Sequence, residues 1–161
     1  MLSTEAGLLL VDEAKMAYTI HVRVIQSKPT AWYSIVEKTA WHFALGATWR
    51  EVDGEQILTM GDSGTSGLLR FENPQGDFFI VAVGVHVYKR WCDVVPDLKS
   101  TETGTAIHPT YYPVGNVLGF RYEIVQKQLA TMEKKNSKGE SIKVNYYKED
   151  GNNLYATITI A

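Results

Sequence analysis

The chain has 161 residues, 45% hydrophobic and 21% charged, a balance typical of one globular domain with a hydrophobic core. Its formal net charge of −2 lacks the basic excess that phosphate neutralisation needs, so we expect no nucleic-acid partner. The longest apolar run near the start, Gly7–Val11, is too short to span a bilayer. A single cysteine and no Asn-x-Ser/Thr acceptor predict a reducing, cytoplasmic location.

Short strands are predicted over the first half of the chain. Apolar and polar residues alternate from Tyr18 to Val24, the period of a strand with one buried face. Turn residues such as Asp53-Gly54 separate the next apolar runs, which predict strands at Ala40–Leu45, Thr48–Val52, Gln56–Met60 and Leu68–Phe71. The longer run Phe78–Tyr88 predicts a central strand.

The alternation disappears between residues 89 and 127. The apolar residues here have a helical spacing, at Trp91, Val94, Val95 and Leu98. Pro96 interrupts this pattern. We therefore expect a helix, a loop and a second helix near Val117–Leu129. Three strands are predicted to follow, at Ala130–Lys135, Ile142–Tyr147 and Leu154–Ile160. This order predicts a mainly β fold, a sandwich of two sheets linked by a helix-loop-helix.

One tetrapeptide, Gly61-Asp62-Ser63-Gly64, resembles the nucleophile loop of trypsin-like proteases, where glycine amides form an oxyanion hole beside the serine. The chain has no matching segment for the catalytic base, and one cysteine cannot build the disulfides of such an enzyme. We interpret the tetrapeptide as a turn whose amides and hydroxyl can hydrogen-bond a ligand. The chain is therefore expected to be non-catalytic.

Histidines and one carboxylate–guanidinium pair are further candidates for ligand binding. The four histidines lack the spacing of a zinc site, so we expect no metal and no cofactor. His86 ends the most apolar strand, just before a dense group of hydrogen-bond donors and aromatic residues, although an ordinary structural histidine is the alternative.

Asp93 and Arg121 are a further pair, because a carboxylate and a planar guanidinium are typical of neutral sugar recognition. The alternative for that pair is a surface ion pair.

Four stretches of the chain are informative: Tyr18–Gln26, Val36–Thr39, Leu58–Gly67 with Leu69–Phe71, and Gly84–Asp93. Two runs within them are long and unusual, the one around Ser63–Gly67 and Tyr88–Asp93. These stretches resemble the fungal fruit-body lectin family, whose type is the common-mushroom agglutinin. The resemblance extends from about Tyr18 to the end of the chain. It implies a β-sandwich of the actinoporin type, a non-catalytic lectin that binds glycans, and assembly as a homotetramer.

The resemblance implies two sugar sites. The first would bind galactose or N-acetylgalactosamine, as in Galβ1-3GalNAc, through positions Ala44, Ser63, Gly64, His86 and Val87. Val87 stands where the family pattern has an asparagine, and Asp62 replaces a glycine. A valine side chain can neither donate to nor accept from a sugar hydroxyl. We therefore expect weakened or redirected binding at this site.

The second implied site would bind N-acetylglucosamine, through positions Asp93, Val94, Val95, Pro96, Arg121 and Met132. Two of these positions depart from the family pattern. Pro96 replaces a threonine, and Met132 stands where a tyrosine is expected, so both positions lose a hydroxyl.

The first sixteen residues, Met1–Met16, have no counterpart in the resemblance. Their weak amphipathic pattern predicts a flexible extension ahead of a single lectin domain at residues 17–161. The alternative function is a membrane-active, pore-forming-like module of the same fold, with this extension inserting into a bilayer. The near-neutral charge and the broken apolar face of the extension favour the lectin without membrane insertion.

Overall fold

The computed structural model describes residues 17–43 and 45–161, so the predicted extension Met1–Met16 lies outside the described residues. The described part contains ten strands: β1 Tyr18–Gln26, β2 Ser34–Ala40, β3 Ala47–Val52, β4 Glu55–Met60, β5 Thr65–Glu72, β6 Phe78–His86, β7 Lys89–Leu98, β8 Thr131–Lys135, β9 Ser141–Lys148 and β10 Asn153–Ile160. It also contains two short α-helices and two 3₁₀ turns: α1 Gly104–Ile107, α2 Tyr122–Lys127, Pro29–Ala31 and His108–Tyr111.

The strands form two sheets. One has six strands in the order β3-β4-β1-β10-β9-β8, and the other has four in the order β2-β5-β6-β7. Hairpin neighbours are antiparallel, whereas β1 and β10 pair in parallel, with Val22 opposite Ala156. Parallel neighbours require a long connection, and here nearly the whole domain supplies it. The first and last strands therefore lie together in the middle of the larger sheet.

The main core lies between the two sheets. Ile20 and Val22 on β1 and Ile158 on β10 have no exposed surface, while the residues between them are more exposed. The period of two that predicted a strand from Tyr18 to Val24 is confirmed, because only one face of β1 is buried in this core.

A second cluster of buried residues lies on the outer face of the four-stranded sheet, beneath the helical segment. Its larger members are Trp41, Leu68, Ile80, Trp91, Ile107, Tyr111, Tyr112 and Val125. The helical segment connects β7 in the smaller sheet to β8 in the larger one. The mainly β fold, with two sheets linked by a helix-loop-helix, is therefore confirmed.

The helix predicted around Trp91 to Leu98 is wrong, because these residues form strand β7. Trp91 packs in the outer cluster and Cys92 in the main core, so both faces of the strand are buried. Burial of both faces removes the alternation from which a strand is recognised in a sequence. Pro96 fits because β7 is an edge strand and its register with β6 shifts beside this residue.

Two further boundaries differ from the prediction. The strand expected at Ala40–Leu45 is wrong, since β2 ends at Ala40 and Trp41 turns into the outer cluster. The second helix, expected near Val117–Leu129, is confined to α2 and is followed by Gln128 in the left-handed conformation. Among residues 17–43 and 45–161, no helix is long and apolar enough to cross a membrane.

Candidate functional site

Two loops are held together beside the start of β5. The Ser63 hydroxyl oxygen accepts a hydrogen bond from the Tyr88 amide at 2.9 Å. The Gly64 amide donates to the Val85 carbonyl oxygen, also at 2.9 Å. These bonds fix the β4–β5 loop against the β6–β7 hairpin and bring Ser63, Gly64 and Val87 together. Ala44, expected at the same site, lies outside the described residues.

His86 is half-buried at the end of β6, next to this junction. Its ring meets the Tyr122 ring edge-on, with centroids 6.0 Å apart. Its carbonyl oxygen accepts a hydrogen bond from the Gln128 side-chain amide. Tyr122 at the start of α2 and Gln128 just after its end therefore contact His86, which the sequence analysis missed because Gln128 lies 42 residues further along the chain.

The β6–β7 turn has an unusual backbone at Val87. The φ angles of Val87 and Tyr88 are +45° and +65°, as in the type I′ turns that form the two-residue loops of β-hairpins. Such turns favour asparagine, aspartate and glycine, whereas a β-branched residue at positive φ is strained. Val87 therefore lacks both the amide group that the resemblance implies for sugar binding and the side chain that suits the turn.

The first site combines polar groups with apolar surroundings. The Ser63 hydroxyl accepts from an amide, and among the described residues its proton has no hydrogen-bond acceptor, so it can be donated to a ligand oxygen. Val87 and Tyr88, in the adjoining turn, are 63% and 62% exposed. Hydroxyl donors beside apolar surface suit a pyranose, which has polar edges and apolar C–H faces. The arrangement allows binding by hydrogen bonds and apolar contact.

The second group of candidates surrounds a buried carboxylate. Asp93 on β7 has no exposed surface. Its oxygens accept from the Tyr111 hydroxyl at 2.6 Å and from the Lys134 ammonium at 3.3 Å. Burial, followed by the charge of Asp93, raises the pKa of Tyr111 well above its ordinary value. Tyr111 therefore stays protonated and remains a donor to Asp93.

Arg121 joins this group through Tyr111 and not by direct pairing with Asp93. Its guanidinium donates to the Thr110 hydroxyl at 2.9 Å and lies 5.9 Å from the centre of the Tyr111 ring. It also lies 4.4 Å over the Phe120 ring. A surface Asp93–Arg121 ion pair is therefore not formed, and Lys134 is the ion-pair partner of the buried carboxylate.

The remaining residues of the predicted second site are not brought together in one place. Val94 is fully buried in the main core, and Val95 is 8% exposed in the outer cluster. Pro96 is half-buried beside the shift in strand register. Met132 packs against the main core, on the same side of β8 as Lys134. Sequence reasoning missed Lys134, because an isolated lysine on a strand gives no signal of its partner.

The described residues contain no group of three or more histidine, cysteine, aspartate or glutamate side chains that could hold a metal ion. His21 instead pairs with Glu55 at 2.7 Å. The buried thiol of Cys92 donates to the Leu129 carbonyl oxygen at 3.4 Å. The groups that the two candidate sites offer to a ligand are hydroxyls, an imidazole and a guanidinium, because the Gly64 amide already donates to Val85.

A buried histidine lies beneath the helical segment. His108 is 3% exposed, with its ring nitrogens 2.8 Å from the Thr39 hydroxyl and 2.9 Å from the Ser66 hydroxyl. The Ser66 oxygen lies 2.6 Å from the Tyr112 hydroxyl. Burial, together with the charge of His42, lowers the pKa of His108 to about 3. His108 is therefore neutral in the folded protein near neutral pH.

This buried histidine predicts a pH-dependent loss of stability. In the unfolded chain His108 has an ordinary pKa of about 6.5. The unfolded state therefore binds a proton that the folded state excludes, and stability falls as the pH drops from about 6.5 towards 3. Urea unfolding of the wild type and of His108→Gln across this range measures the effect. The variant should lose less stability on acidification, and parallel pH profiles would contradict the assignment.

Comparison with known proteins gives consistent matches. Residues 16–158 match the family described as fungal fruit body lectin. The chain is 48% identical to the lectin of Boletus edulis over 144 residues, which cover 89% of this chain and 98% of that protein.

Solved structures show the same similarity. The crystal structure of wild-type Xerocomus chrysenteron lectin is 47% identical, has a TM-score of 0.85, and covers 91% of this chain and 100% of its own. A mutated form of that lectin is 48% identical with the same TM-score, covering 91% and 99%. The lipid binding protein Nakanori shares the fold alone, at 6% identity and a TM-score of 0.60, covering 99% and 79%.

Proposed function

The chain belongs to the fungal fruit body lectin family, and from this membership we propose that it is a non-catalytic lectin with two sugar sites. The first site takes galactose or N-acetylgalactosamine, as in Galβ1-3GalNAc, and the second takes N-acetylglucosamine. The observation that carries carbohydrate binding is the 48% identity to a lectin along 89% of the chain. The finer assignment is supported by the local geometry of each site.

The first site is supported by the junction of its two loops. The Ser63 hydroxyl lies in a loop that two hydrogen bonds, from the Tyr88 amide to Ser63 and from the Gly64 amide to Val85, hold against the β6–β7 hairpin. The loop therefore needs little ordering when a ligand binds, which favours affinity because less conformational entropy is lost. His86, held by α2, supplies a further polar group at the edge.

The second site is supported by the network around Asp93. Tyr111 and Lys134 hold the carboxylate, and Arg121 lies against Tyr111 with its planar guanidinium partly exposed. A guanidinium has five N–H donors, and Thr110 uses one of them. The others can be donated to sugar hydroxyls or to an acetamido carbonyl oxygen.

The proposed function predicts agglutination without turnover. We expect the protein to bind glycosylated surfaces and, as a homotetramer with several sites, to crosslink them. Haemagglutination, inhibited by free Galβ1-3GalNAc or N-acetylglucosamine, measures the first property, and light scattering of the purified protein measures the assembly. Release of sugar from a glycoside, if abolished by Ser63→Ala, would show that the non-catalytic assignment is wrong.

Removing Arg121 should weaken the second site. Arg121→Ala loses a charge-assisted hydrogen bond, so we expect a loss of about 1.5–3 kcal/mol in binding of N-acetylglucosamine, which is tenfold or more in affinity. Calorimetry measures this change. Lys127→Ala is the matched control, because Lys127 is an exposed cation on α2 that pairs with Glu123. Unchanged affinity in Arg121→Ala would reject the assignment.

A membrane-active module is the second candidate, and one observation favours it. The loop before α2 exposes four large apolar side chains: Val114, Val117, Leu118 and Phe120, between 60% and 76% exposed. Release of dye from phosphatidylcholine and phosphatidylserine vesicles separates the two functions. The lectin proposal predicts no release, whereas release that Leu118→Ser abolishes would favour membrane activity.

A further inference from the structure

A groove of about 390 Å³ opens between the end of β2 and the helical segment. It is lined by Thr39, Ala40, Trp41, His42, Thr105, His108 and Pro109. None of these residues belongs to either sugar site described above. Its volume lies within the range of small-molecule sites, roughly 300–1,000 Å³.

Trp41 supplies a donor that has no acceptor. Its side chain is 8% exposed, and its indole N–H is buried without a hydrogen-bond partner among the described residues. One ring face stacks on Tyr112, with centroids 4.5 Å apart and planes 7° from parallel. An unpaired buried donor is uncommon and carries a free-energy cost. A ligand oxygen that reached this N–H would offset that cost.

A second donor follows from the protons of the histidine network. If the Tyr112 hydroxyl donates to Ser66 and Ser66 donates to His108, then His108 donates to Thr39. The Thr39 hydroxyl proton then has no partner within this network and is available to the groove. The other tautomer of neutral His108 would leave the free proton on Tyr112, which is buried, so the order that frees the Thr39 proton is favoured.

The carboxylate beside the groove is already paired, and His42 adds an exposed aromatic ring. The nearby Glu37 carboxylate accepts from the Gly104 amide at 2.6 Å and from the Thr105 hydroxyl at 3.1 Å. His42 is exposed, and its ring lies 4.9 Å from the Trp41 ring and 4.6 Å from the Phe43 ring. Free donors beside aromatic rings suit a neutral ligand that has acceptor oxygens and apolar C–H faces.

We propose that this groove is a third saccharide site, which binds one neutral pyranose. The sugar oxygens accept from the Trp41 indole N–H and the Thr39 hydroxyl, and a C–H face of the sugar packs against the His42 ring. The proposal rests on the proposed lectin function and adds to it a site on the outer face of the smaller sheet.

Nuclear magnetic resonance of the ¹⁵N-labelled full chain tests the proposal. The chain has four tryptophans, so the Trp41 indole signal can be assigned by substitution of the others. The probes are galactose, N-acetylgalactosamine, glucose, N-acetylglucosamine, mannose and fucose, each titrated separately. At least one sugar should shift the Trp41 indole signal along a saturable curve. The same shift should persist in the double variant Ser63→Ala, Arg121→Ala.

Variants on the surface of the groove complete the test. His42→Ala should weaken this titration at least fivefold, whereas Tyr147→Ala, an exposed aromatic residue on β9, should leave it unchanged. The third site would be overturned if no sugar shifted the Trp41 signal while the Gly64 amide responded, or if the double variant abolished the shift. If no sugar shifted any signal, the lectin proposal itself would fail.

Discussion

Replacing Val87 with asparagine should raise the stability of the protein and its affinity for Galβ1-3GalNAc together. Val87 has a φ of +45° and is 63% exposed. The left-handed conformation costs an ordinary residue roughly 1–2 kcal/mol, and asparagine tolerates it much better. We therefore expect a gain of about 1 kcal/mol in the free energy of unfolding, measured by urea denaturation.

The gain in affinity has a separate cause. A sugar hydroxyl that loses water at Val87 without finding a partner costs about 1–3 kcal/mol, which is about five- to a hundredfold in affinity. An asparagine amide can both donate to and accept from such a hydroxyl. Titration calorimetry with the disaccharide, at one pH and one salt concentration, measures the difference between the two proteins.

Val87→Gly separates the two effects. Glycine also adopts positive φ without strain, so this variant should relieve the turn but restore no hydrogen bond. We expect a higher affinity in Val87→Asn than in Val87→Gly. Equal affinity in Val87→Asn and the wild type would show that residue 87 does not face the sugar, or that Asp62 has taken over its role.

Removing the carboxylate of Asp93 should destabilise the protein. Asp93→Ala leaves the buried Tyr111 hydroxyl without its acceptor, whereas the Lys134 side chain, 39% exposed, can be solvated instead. Leaving a buried hydroxyl unpaired costs about 1–3 kcal/mol. We therefore expect a loss of this size in the free energy of unfolding, measured by urea denaturation.

Two milder variants show which group matters. Asp93→Asn keeps an oxygen that can accept from Tyr111 but removes the charge that attracts Lys134. Tyr111→Phe removes only the hydroxyl, with an expected loss of about 1.5–3 kcal/mol for a hydrogen bond to a charged group. A loss below about 1 kcal/mol in Asp93→Ala would mean that solvent relaxes the site and that the network does not stabilise the fold.

The sequence by itself determined the strands that bury one face. On β1 and β10 the residues alternate between buried and more exposed, so a period of two was readable from Tyr18 to Val24. The turns could also be predicted, because glycine and asparagine favour turns through their own backbone conformations and local hydrogen bonds. Strand β7 was not readable, since both of its faces are buried and nothing local distinguishes such a strand from a helix.

The candidate sites divide in the same way. Candidate residues that are neighbours in the sequence, such as Ser63-Gly64 and His86-Val87, could be proposed from the sequence alone. They lie in continuous segments that resemble a known family. The positive φ of Val87 and the partners of Asp93 were decided by the tertiary structure alone. Tyr111 is 18 residues and Lys134 is 41 residues from Asp93 along the chain. Such contacts depend on how the sheets and the helical segment pack, which no local pattern encodes.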